Sequence, residues 1–145
     1  MGAEIGVWDM NRNPYLIIDV CGEEGAYMDD TSRDDGSVDP FSGGSFIASD
    51  GSVVRLEQND FIIEVQDTWA SPRSTGVYPA RWKVSVPKLE LILNIEPYLA
   101  DQELDVSYAY WEGAVRVDGS RASQPINGQG YVEMTGYASS MQGQF

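Results

Sequence analysis

Two glutamates in otherwise aromatic and apolar sequence are the residues whose types and spacing best suit acid–base chemistry. Glu112 comes two residues after Tyr110, and Glu133 lies in a second segment of the same character. In β-strands, residues two apart share a face, so Tyr110 and Glu112 would project together and could face Glu133 across a sheet. A carboxylate in apolar surroundings has a raised pKa and can act as a general acid or base. The sequence therefore predicts these three residues as catalytic candidates; the alternative is that both glutamates face solvent, or that one pairs with Arg116 or Arg81.

A set of aromatic side chains could line a cavity next to these carboxylates. Ligand cavities are mostly apolar and aromatic, and Trp and Tyr combine a large contact area with one hydrogen-bonding group. The predicted ligand-binding residues are Trp69, Trp82, Tyr98, Trp111, Tyr131 and Met134. The alternative is that most of them belong to the core or plug the ends of a barrel. Alternation alone does not fix which face points inward, because a shift of one residue exchanges the two faces.

Several kinds of chemistry are disfavoured by what the chain lacks. It contains no histidine, which removes His-based triads and imidazole metal sites. Cys21 is the single cysteine, so we expect no disulfide framework, no thiolate zinc site and a structural or incidental role for this residue. The aspartates between residues 29 and 39 lack the spacing of an EF-hand, and we expect a solvated loop there. We therefore expect no metal and no cofactor.

The charge balance argues against nucleic acid and membrane partners. The chain has 23 acidic and 9 basic residues, which gives a formal net charge of −14. Binding to nucleic acid or to an anionic membrane needs clusters of Lys and Arg. Solubility or a saline habitat explains this charge, and attraction of a cationic partner is the alternative. No signal peptide and no membrane span are recognisable, which predicts a cytoplasmic protein, or a secreted or periplasmic one whose leader has been removed.

Two predicted strands must position the candidate catalytic residues. Residues 108–117 and 128–137 alternate in character and are rich in aromatic and β-branched residues, which favour strands. The residues between them include Asp118-Gly119 and Asn127-Gly128, which are typical of turns. We therefore expect two antiparallel strands joined by a connection of about ten residues. The predicted faces of the first strand are Trp111, Gly113, Val115 and Val117 against Tyr110, Glu112, Ala114 and Arg116.

The rest of the chain predicts a single all-β domain over residues 1–145. Further strands are expected at residues 3–9, 15–20, 25–32, 44–49, 52–56, 61–69, 80–86 and 89–96, with a hairpin turn at Asp50-Gly51. Residues 139–145 are expected to form a frayed polar tail. Eight to ten short strands without an amphipathic helix indicate a sandwich or a barrel. A closed eight-stranded barrel has no exposed edges and can hold one small ligand.

An ordered set of short motifs runs from about residue 35 to residue 138. The motifs are Asp35-Gly36-Ser37, Asp39-Pro40-Phe41-Ser42-Gly43-Gly44, Asp50-Gly51, Thr68-Trp69, Ser71-Pro72, Tyr78-Pro79, Trp82, Val86-Pro87, Asp101-Gln102-Glu103-Leu104, Tyr110-Trp111-Glu112-Gly113-Ala114-Val115 and Gly130-Tyr131-Val132-Glu133-Met134-Thr135-Gly136-Tyr137. Together they resemble the carotenoid 1,2-hydratase (hydroxyneurosporene synthase) / AttH-like family, and specifically the second of its two lipocalin-like domains. The resemblance implies a lipocalin-like antiparallel β-barrel. It also implies either a natural single-domain relative or a missing partner domain, which a homodimer could replace.

The same resemblance implies a hydrophobic small molecule as the ligand. Relatives hydrate a carbon–carbon double bond of a polyene, and others cyclise polyene polyketides, and neither reaction needs a redox cofactor. The expected function is therefore binding of a polyene, isoprenoid or polyketide in the barrel, with hydratase-like or cyclase-like chemistry on it. Cyclisation needs chiefly a shaped cavity that holds the chain folded, which suits a protein without histidine. The alternative is a non-catalytic carrier or interaction domain, half of a two-barrel or dimeric assembly.

Overall fold

The structure, a computed structural model, describes residues 2–9, 14–21 and 42–138. These residues form ten β-strands: β1 (Gly2–Asp9), β2 (Tyr15–Cys21), β3 (Gly43–Ile47), β4 (Val53–Glu57), β5 (Ile62–Ala70), β6 (Val77–Val86), β7 (Leu91–Pro97), β8 (Glu103–Asp105), β9 (Ala109–Arg121) and β10 (Gln124–Thr135). Two short 3-10 helices, Gln58–Asp60 and Pro87–Leu89, connect strands. Within the described ranges, no helix has the length and apolar character needed to cross a membrane.

All of these strands belong to one antiparallel sheet that curls into a half-barrel. The strand order is β4-β3-β2-β1-β10-β9-β7-β6-β5, and β8 pairs with the part of β9 that lies beyond β7. The expected all-β, lipocalin-like fold is therefore confirmed. In the described part of the chain, no ladder joins β4 to β5. The segment between β4 and β5 is held by Lys88 from the second 3-10 helix. Its Nζ donates to Asp60 Oδ2 at 2.6 Å and to the backbone carbonyl of Arg55 in β4 at 2.9 Å.

The inner face of the curled sheet forms a single apolar core. In β7, β9 and the second half of β10, buried residues alternate with more exposed ones, as the period of two along a strand requires. In β9 the buried residues are Trp111, Gly113, Val115 and Val117, and in β10 they include Val132 and Met134. The core also takes in buried side chains of β1 to β7. The expected faces of β9 are therefore confirmed, with the apolar set pointing inward.

The predicted ten-residue connection between the last two strands was wrong. Strands β9 and β10 continue toward each other until Arg121 pairs with Gln124, and only Ala122 and Ser123 form the turn. The glycine of Asp118-Gly119 is required by packing rather than by a turn: a Cβ at Gly119 would lie 1.9 Å from the carbonyl oxygen of Ile92. A glycine can therefore mark close approach of two strands, and here it does.

Other boundaries differ less. The hairpin at Asp50-Gly51 is confirmed, with Gly51 at φ +85°. Strand β6 starts at Val77, three residues earlier than expected, and the three-residue strand β8 was not predicted. The strand expected at 25–32, the loop expected at 29–39 and the tail expected at 139–145 lie outside the described residues.

Candidate functional site

A cavity of about 540 Å³ opens at one end of the half-barrel. It lies where β1, β2, β3, β7, β9 and β10 converge, beside the turn between β9 and β10. The residues that line it are Val7, Trp8, Pro14, Leu16, Phe46, Ser49, Leu91, Leu93, Val117, Arg121, Ala122, Gln124, Pro125, Ile126, Asn127 and Gly128. Its volume is in the range of small-molecule sites, which are usually apolar with a few placed polar groups.

The walls of the cavity are inner-face residues of the sheet. Val7, Leu16, Phe46, Leu93 and Val117 are each almost fully buried, because alternation directs them away from solvent. They face a space that the described side chains leave unfilled at this end, while the other end of the half-barrel is packed. Among the lining residues of the described chain there is no Asp or Glu. The cavity interior therefore suits an apolar molecule.

Arg121 is the charged residue at the rim. It is the last residue of β9, opposite Leu91 of β7, and its side chain is directed inward by the same alternation that buries Val117. Its guanidinium carbon lies 4.6 Å from the centroid of the Phe46 ring, which is a cation–π contact. Within the described residues, no carboxylate forms an ion pair with it. The cavity thus has one cation, partly shielded from water by an aromatic ring.

The turn that follows Arg121 holds this rim in an unusual backbone conformation. Ala122 and Ser123 have φ values of +48° and +63°, and Glu90 across the sheet has φ +51°. The amide of Ala122 donates to the carbonyl of Glu90 at 3.0 Å, which ties the turn to the start of β7. Two successive left-handed residues define the tight hairpin turn that usually contains Asn-Gly. Residues other than glycine carry a strain cost there, and such strain is often found beside binding sites.

The opposite end of the half-barrel is closed by a buried carboxylate. Glu103 of β8 has a fully buried side chain, and it accepts hydrogen bonds at 2.6 Å from the hydroxyls of both Ser71 and Ser74. Arg73 Nη2 lies 3.9 Å from the side-chain carboxylate of Glu103 and donates to the backbone carbonyl of Glu103 at 3.2 Å. Burial alone would raise the pKa of Glu103, but the hydroxyls of Ser71, Ser74 and the nearby Tyr78, together with the charge of Arg73, outweigh it, so the pKa is lowered. Glu103 is therefore an ionised anchor that holds the 71–76 loop to β8.

Aromatic side chains fill the interior next to Glu103. Tyr78 stacks on Trp69 with centroids 6.1 Å apart, and Trp82 meets Trp111 edge-on at 6.4 Å. Tyr78 Oη and Trp82 Nε1 are buried without a hydrogen-bond partner among the residues that the structure describes. Burial raises the pKa of Tyr78, and the nearby negative charge of Glu103 raises it further. The Tyr78 hydroxyl therefore keeps its proton throughout the ordinary pH range.

A single amide side chain completes the edge of β9 between β7 and β8. Gln102 Oε1 accepts from the amide of Ala114 at 2.9 Å, and Gln102 Nε2 donates to the carbonyl of Ala114 at 3.1 Å. These are the two bonds that a neighbouring strand would make. The side chain fits because residue 113 is glycine, where a Cβ would lie 2.3 Å from the Gln102 carboxamide. The Asp101-Gln102-Glu103 motif therefore fixes this end of the fold.

Tyrosines and glutamates share the outer face of β9 and β10. Glu112 and Glu133 are directly paired across the two strands, and Tyr131 is the diagonal neighbour of Glu112. Burial, and then the charges of Glu112 and Glu4, raise the pKa of Glu133. The pKa values of Tyr110 and Tyr131 are also raised, by desolvation first and by Glu112 second. The Glu133 carboxyl therefore keeps its proton to a higher pH than an isolated glutamate would.

The nine predicted site residues fall into three places. Tyr110, Glu112, Tyr131 and Glu133 are on the outer face, and Tyr98 is more than half exposed. Trp82, Trp111 and Met134 are in the packed core, and Trp69 is partly buried against it. The structure thus brings Glu112 and Glu133 together, as expected, but the nine do not form one cluster, and none of them is a lining residue of the cavity.

Sequence reasoning missed the residues that do line the cavity. Arg121 fell in a segment expected to be a loop, and Val7, Leu16 and Phe46 were counted only as strand residues. A signal was present: extending the inward register of β9 past Val117 leads through Gly119 to Arg121. Asp118-Gly119 and Asn127-Gly128 are typical of turns, so the sequence predicts that the strand ends before Arg121.

Comparison with known proteins gives one family. The AttH-like family model matches residues 26–137. The crystal structure of an AttH protein from Nitrosomonas europaea is similar to this chain, with 26% sequence identity and a TM-score of 0.73. The match covers 94% of this chain and 38% of the Nitrosomonas chain. Kievitone hydratase from Nectria haematococca is 17% identical with a TM-score of 0.71, over 95% of this chain and 39% of that one. The chain thus spans about two fifths of the length of these structures. Among curated proteins, no match was found.

Proposed function

The chain belongs to the AttH-like family, and we propose that it binds a bulky hydrophobic small molecule, such as a polyene, isoprenoid or polyketide, in the cavity at the Arg121 end of its half-barrel. The observation that carries the proposal is the cavity itself: about 540 Å³, walled by buried aliphatic side chains and Phe46. A hydrophobic ligand would gain free energy there by covering this apolar wall and removing it from water. A ligand would be confined to the Arg121 end, because aromatic side chains fill the opposite end of the half-barrel.

We also propose that the protein acts on this ligand without a cofactor. No lining residue of the described chain is a carboxylic acid, so chemistry inside the cavity would depend on holding a flexible ligand in a reactive shape. That is the requirement of a cyclisation. A hydration needs a proton donor in addition, and one solved neighbour is named as a hydratase.

A second candidate site is the outer face, and the direct pairing of Glu112 with Glu133 favours it. The raised pKa of Glu133 suits a general acid, with Tyr110 as a neighbouring hydroxyl. A substrate there would have to be covered from the solvent side by another domain or a second copy. Replacement of Glu112→Gln should then abolish turnover, whereas turnover in the cavity would be unaffected.

Native mass spectrometry of the protein, followed by denaturing extraction, tests the binding proposal. A co-purifying hydrophobic molecule released by denaturation is the expected result. The Leu93→Trp variant, which fills the cavity, should lose that molecule, and the outer-face variant Ile92→Trp should keep it. A molecule retained equally by both variants would contradict binding in this cavity and would point to a surface such as the Glu112–Glu133 face.

A further inference from the structure

We propose that the ligand of the cavity is a hydrophobic carboxylic acid, and that Arg121 binds its carboxylate at the rim. This inference rests on the proposed binding function and specifies its ligand class. Four features of the cavity support it: the absence of an ionic partner for Arg121 among the described residues, the position of Arg121 at the rim, its partial burial, and the number of charged residues in the cavity lining.

The first feature is an arginine without an ionic partner in the described residues of a strongly acidic chain. The protein has 23 acidic residues and 9 basic ones. Arg73, Lys83, Lys88 and Arg116 all have a carboxylate within 4 Å. The guanidinium of Arg121 has instead the ring of Phe46, 4.6 Å away. It therefore remains available for an anion that the described residues do not supply.

The second feature is where the guanidinium lies. Arg121 ends β9 at the cavity mouth, and the inner-face residue Val117 of the same strand forms part of the cavity wall. A ligand with a chain against Val117 and Leu93 would have its head group beside Arg121. The tight turn at Ala122 and Ser123, tied to the carbonyl of Glu90, fixes the backbone from which Arg121 projects. The cation is therefore placed before the ligand arrives, which lowers the entropic cost of binding.

The third feature is the partial desolvation of the charge. Arg121 is half-buried, and the Phe46 ring, which is itself buried, shields part of the guanidinium from water. Electrostatic attraction to an anion is stronger at such a site than on an open surface. The planar guanidinium also matches the two oxygens of a carboxylate, which it can bind through two parallel hydrogen bonds. A neutral polar head group would use only part of this capacity.

The fourth feature is the number of charges. One arginine lines the cavity in the described part of the chain, and no lysine, aspartate or glutamate is among the other lining residues. One cation balances one carboxylate. A phosphate with two negative charges would leave one of them unpaired in a partly buried site, which is unfavourable. The amide of Gln124 at the same rim adds a neutral hydrogen-bond donor. The cavity therefore selects a monoanion with a large apolar body.

The test compares a fluorescent polyene fatty acid, cis-parinaric acid, with its methyl ester, which has the same body and no charge. Titration is followed by fluorescence at pH 8, where the acid is ionised. We expect the wild-type protein to bind the acid about tenfold to a hundredfold more tightly than the ester, as for a hydrogen bond to a charged group. The variants Arg121→Met and Arg121→Gln should bind both probes equally, at the affinity of the ester. Two neutral variants are used so that the result does not depend on the folding of one.

Two control variants complete the experiment. Arg55→Met removes the same charge from an exposed site on β4, where the Arg55 side chain is 86% exposed, and it should keep the preference for the acid. Arg121→Lys keeps the positive charge but lacks the planar guanidinium, so it should keep part of the preference for the acid over the ester. Equal binding of acid and ester by the wild type, or equal weakening of both by Arg121→Met, would overturn the carboxylate assignment and leave the binding function standing. Failure of the folded wild type to bind either probe would overturn the binding function itself.

Discussion

Glu112 of β9 and Glu133 of β10 lie directly opposite each other on the outer face of the half-barrel. Glu4 of β1 flanks Glu133 on its other side. Like charges in paired positions of a sheet repel each other. Burial, Glu112 and Glu4 accordingly raise the pKa of Glu133 above its ordinary value of 4.5. A group whose pKa is higher in the folded state stabilises the fold at low pH and loses that contribution as the pH rises through its folded pKa.

Replacing Glu133→Gln should therefore stabilise the protein at neutral pH. We expect a gain in the free energy of unfolding of about 0.5 kcal/mol at pH 7, a modest figure because the side chain is exposed to screening by solvent. The gain should vanish below about pH 4, where the wild-type carboxyl is protonated in both states. Urea unfolding at the two pH values measures it. Glu64→Gln is the control: this glutamate lies 3.7 Å from Lys83, so its removal should not stabilise.

Glu103 should be far more important for stability than its ion-paired neighbour Asp101. Glu103→Ala removes the buried group that accepts the hydroxyl protons of Ser71 and Ser74, which should cost about 3 kcal/mol. Asp101→Ala removes two hydrogen bonds from Arg73, at 2.5 and 2.6 Å, but both side chains are nearly half exposed, so the loss of stability should be much smaller than for Glu103→Ala. Thermal unfolding compares the two variants, and equal losses would contradict the anchoring role of Glu103.

The lowered pKa of Glu103 adds a pH signature to that comparison. A depressed carboxyl pKa contributes stability above the unfolded value, 4.5, and loses it as the pH falls toward the folded pKa. The destabilisation by Glu103→Ala should therefore shrink when measured below about pH 4.

The turn between β9 and β10 can be stabilised. Ala122 and Ser123 both have positive φ, and Asn-Gly is the sequence preferred in this geometry. The double change Ala122→Asn and Ser123→Gly should add about 1 kcal/mol to the free energy of unfolding. Ser120→Gly, in the extended part of β9, should instead cost about 0.5–1 kcal/mol. Urea unfolding distinguishes the two; destabilisation by the double variant would show that the turn is not strained.

Filling the cavity should abolish ligand binding without unfolding the protein. Leu93→Trp points into the cavity, and Ile92→Trp, one residue earlier on β7, points to solvent. We expect Leu93→Trp to weaken the affinity for cis-parinaric acid by at least about tenfold, since a bulky side chain then occupies the ligand volume. Ile92→Trp should bind like the wild type. Fluorescence titration with a parallel circular dichroism spectrum separates loss of binding from loss of structure.

Alternation along the strands allowed much of the fold to be predicted. Trp111, Val115 and Val117 are buried and Glu112 is outside, because residues two apart in a strand share a face whatever the surroundings. The pairing of Glu112 with Glu133 was also expected from the sequence. These features depend on local periodicity, which a single sequence contains.

The cavity could not be predicted in the same way, because it depends on how six strands converge. Gly119 looks like a turn residue, yet it lies where another strand approaches: an added Cβ would come within 1.9 Å of the carbonyl oxygen of Ile92. Pro125 is equally misleading. It lies beyond the part of β10 that pairs with β1, so its missing N–H costs the sheet nothing on that side. Local signals cannot separate these roles from turns.

The pairing of β1 with β10 determines when the fold can be completed. These strands are the first and last of the described part of the chain, and they pair along their length from Gly2 opposite Thr135 to Asp9 opposite Gly128. Contacts between residues so distant in sequence require closure of a long loop, which slows folding. During synthesis on the ribosome, β1 can pair with β2 but has an unpaired edge until β10 emerges. The middle of the sheet is therefore assembled last, and the nascent chain carries an exposed strand edge, prone to aggregation, until β10 has been synthesised.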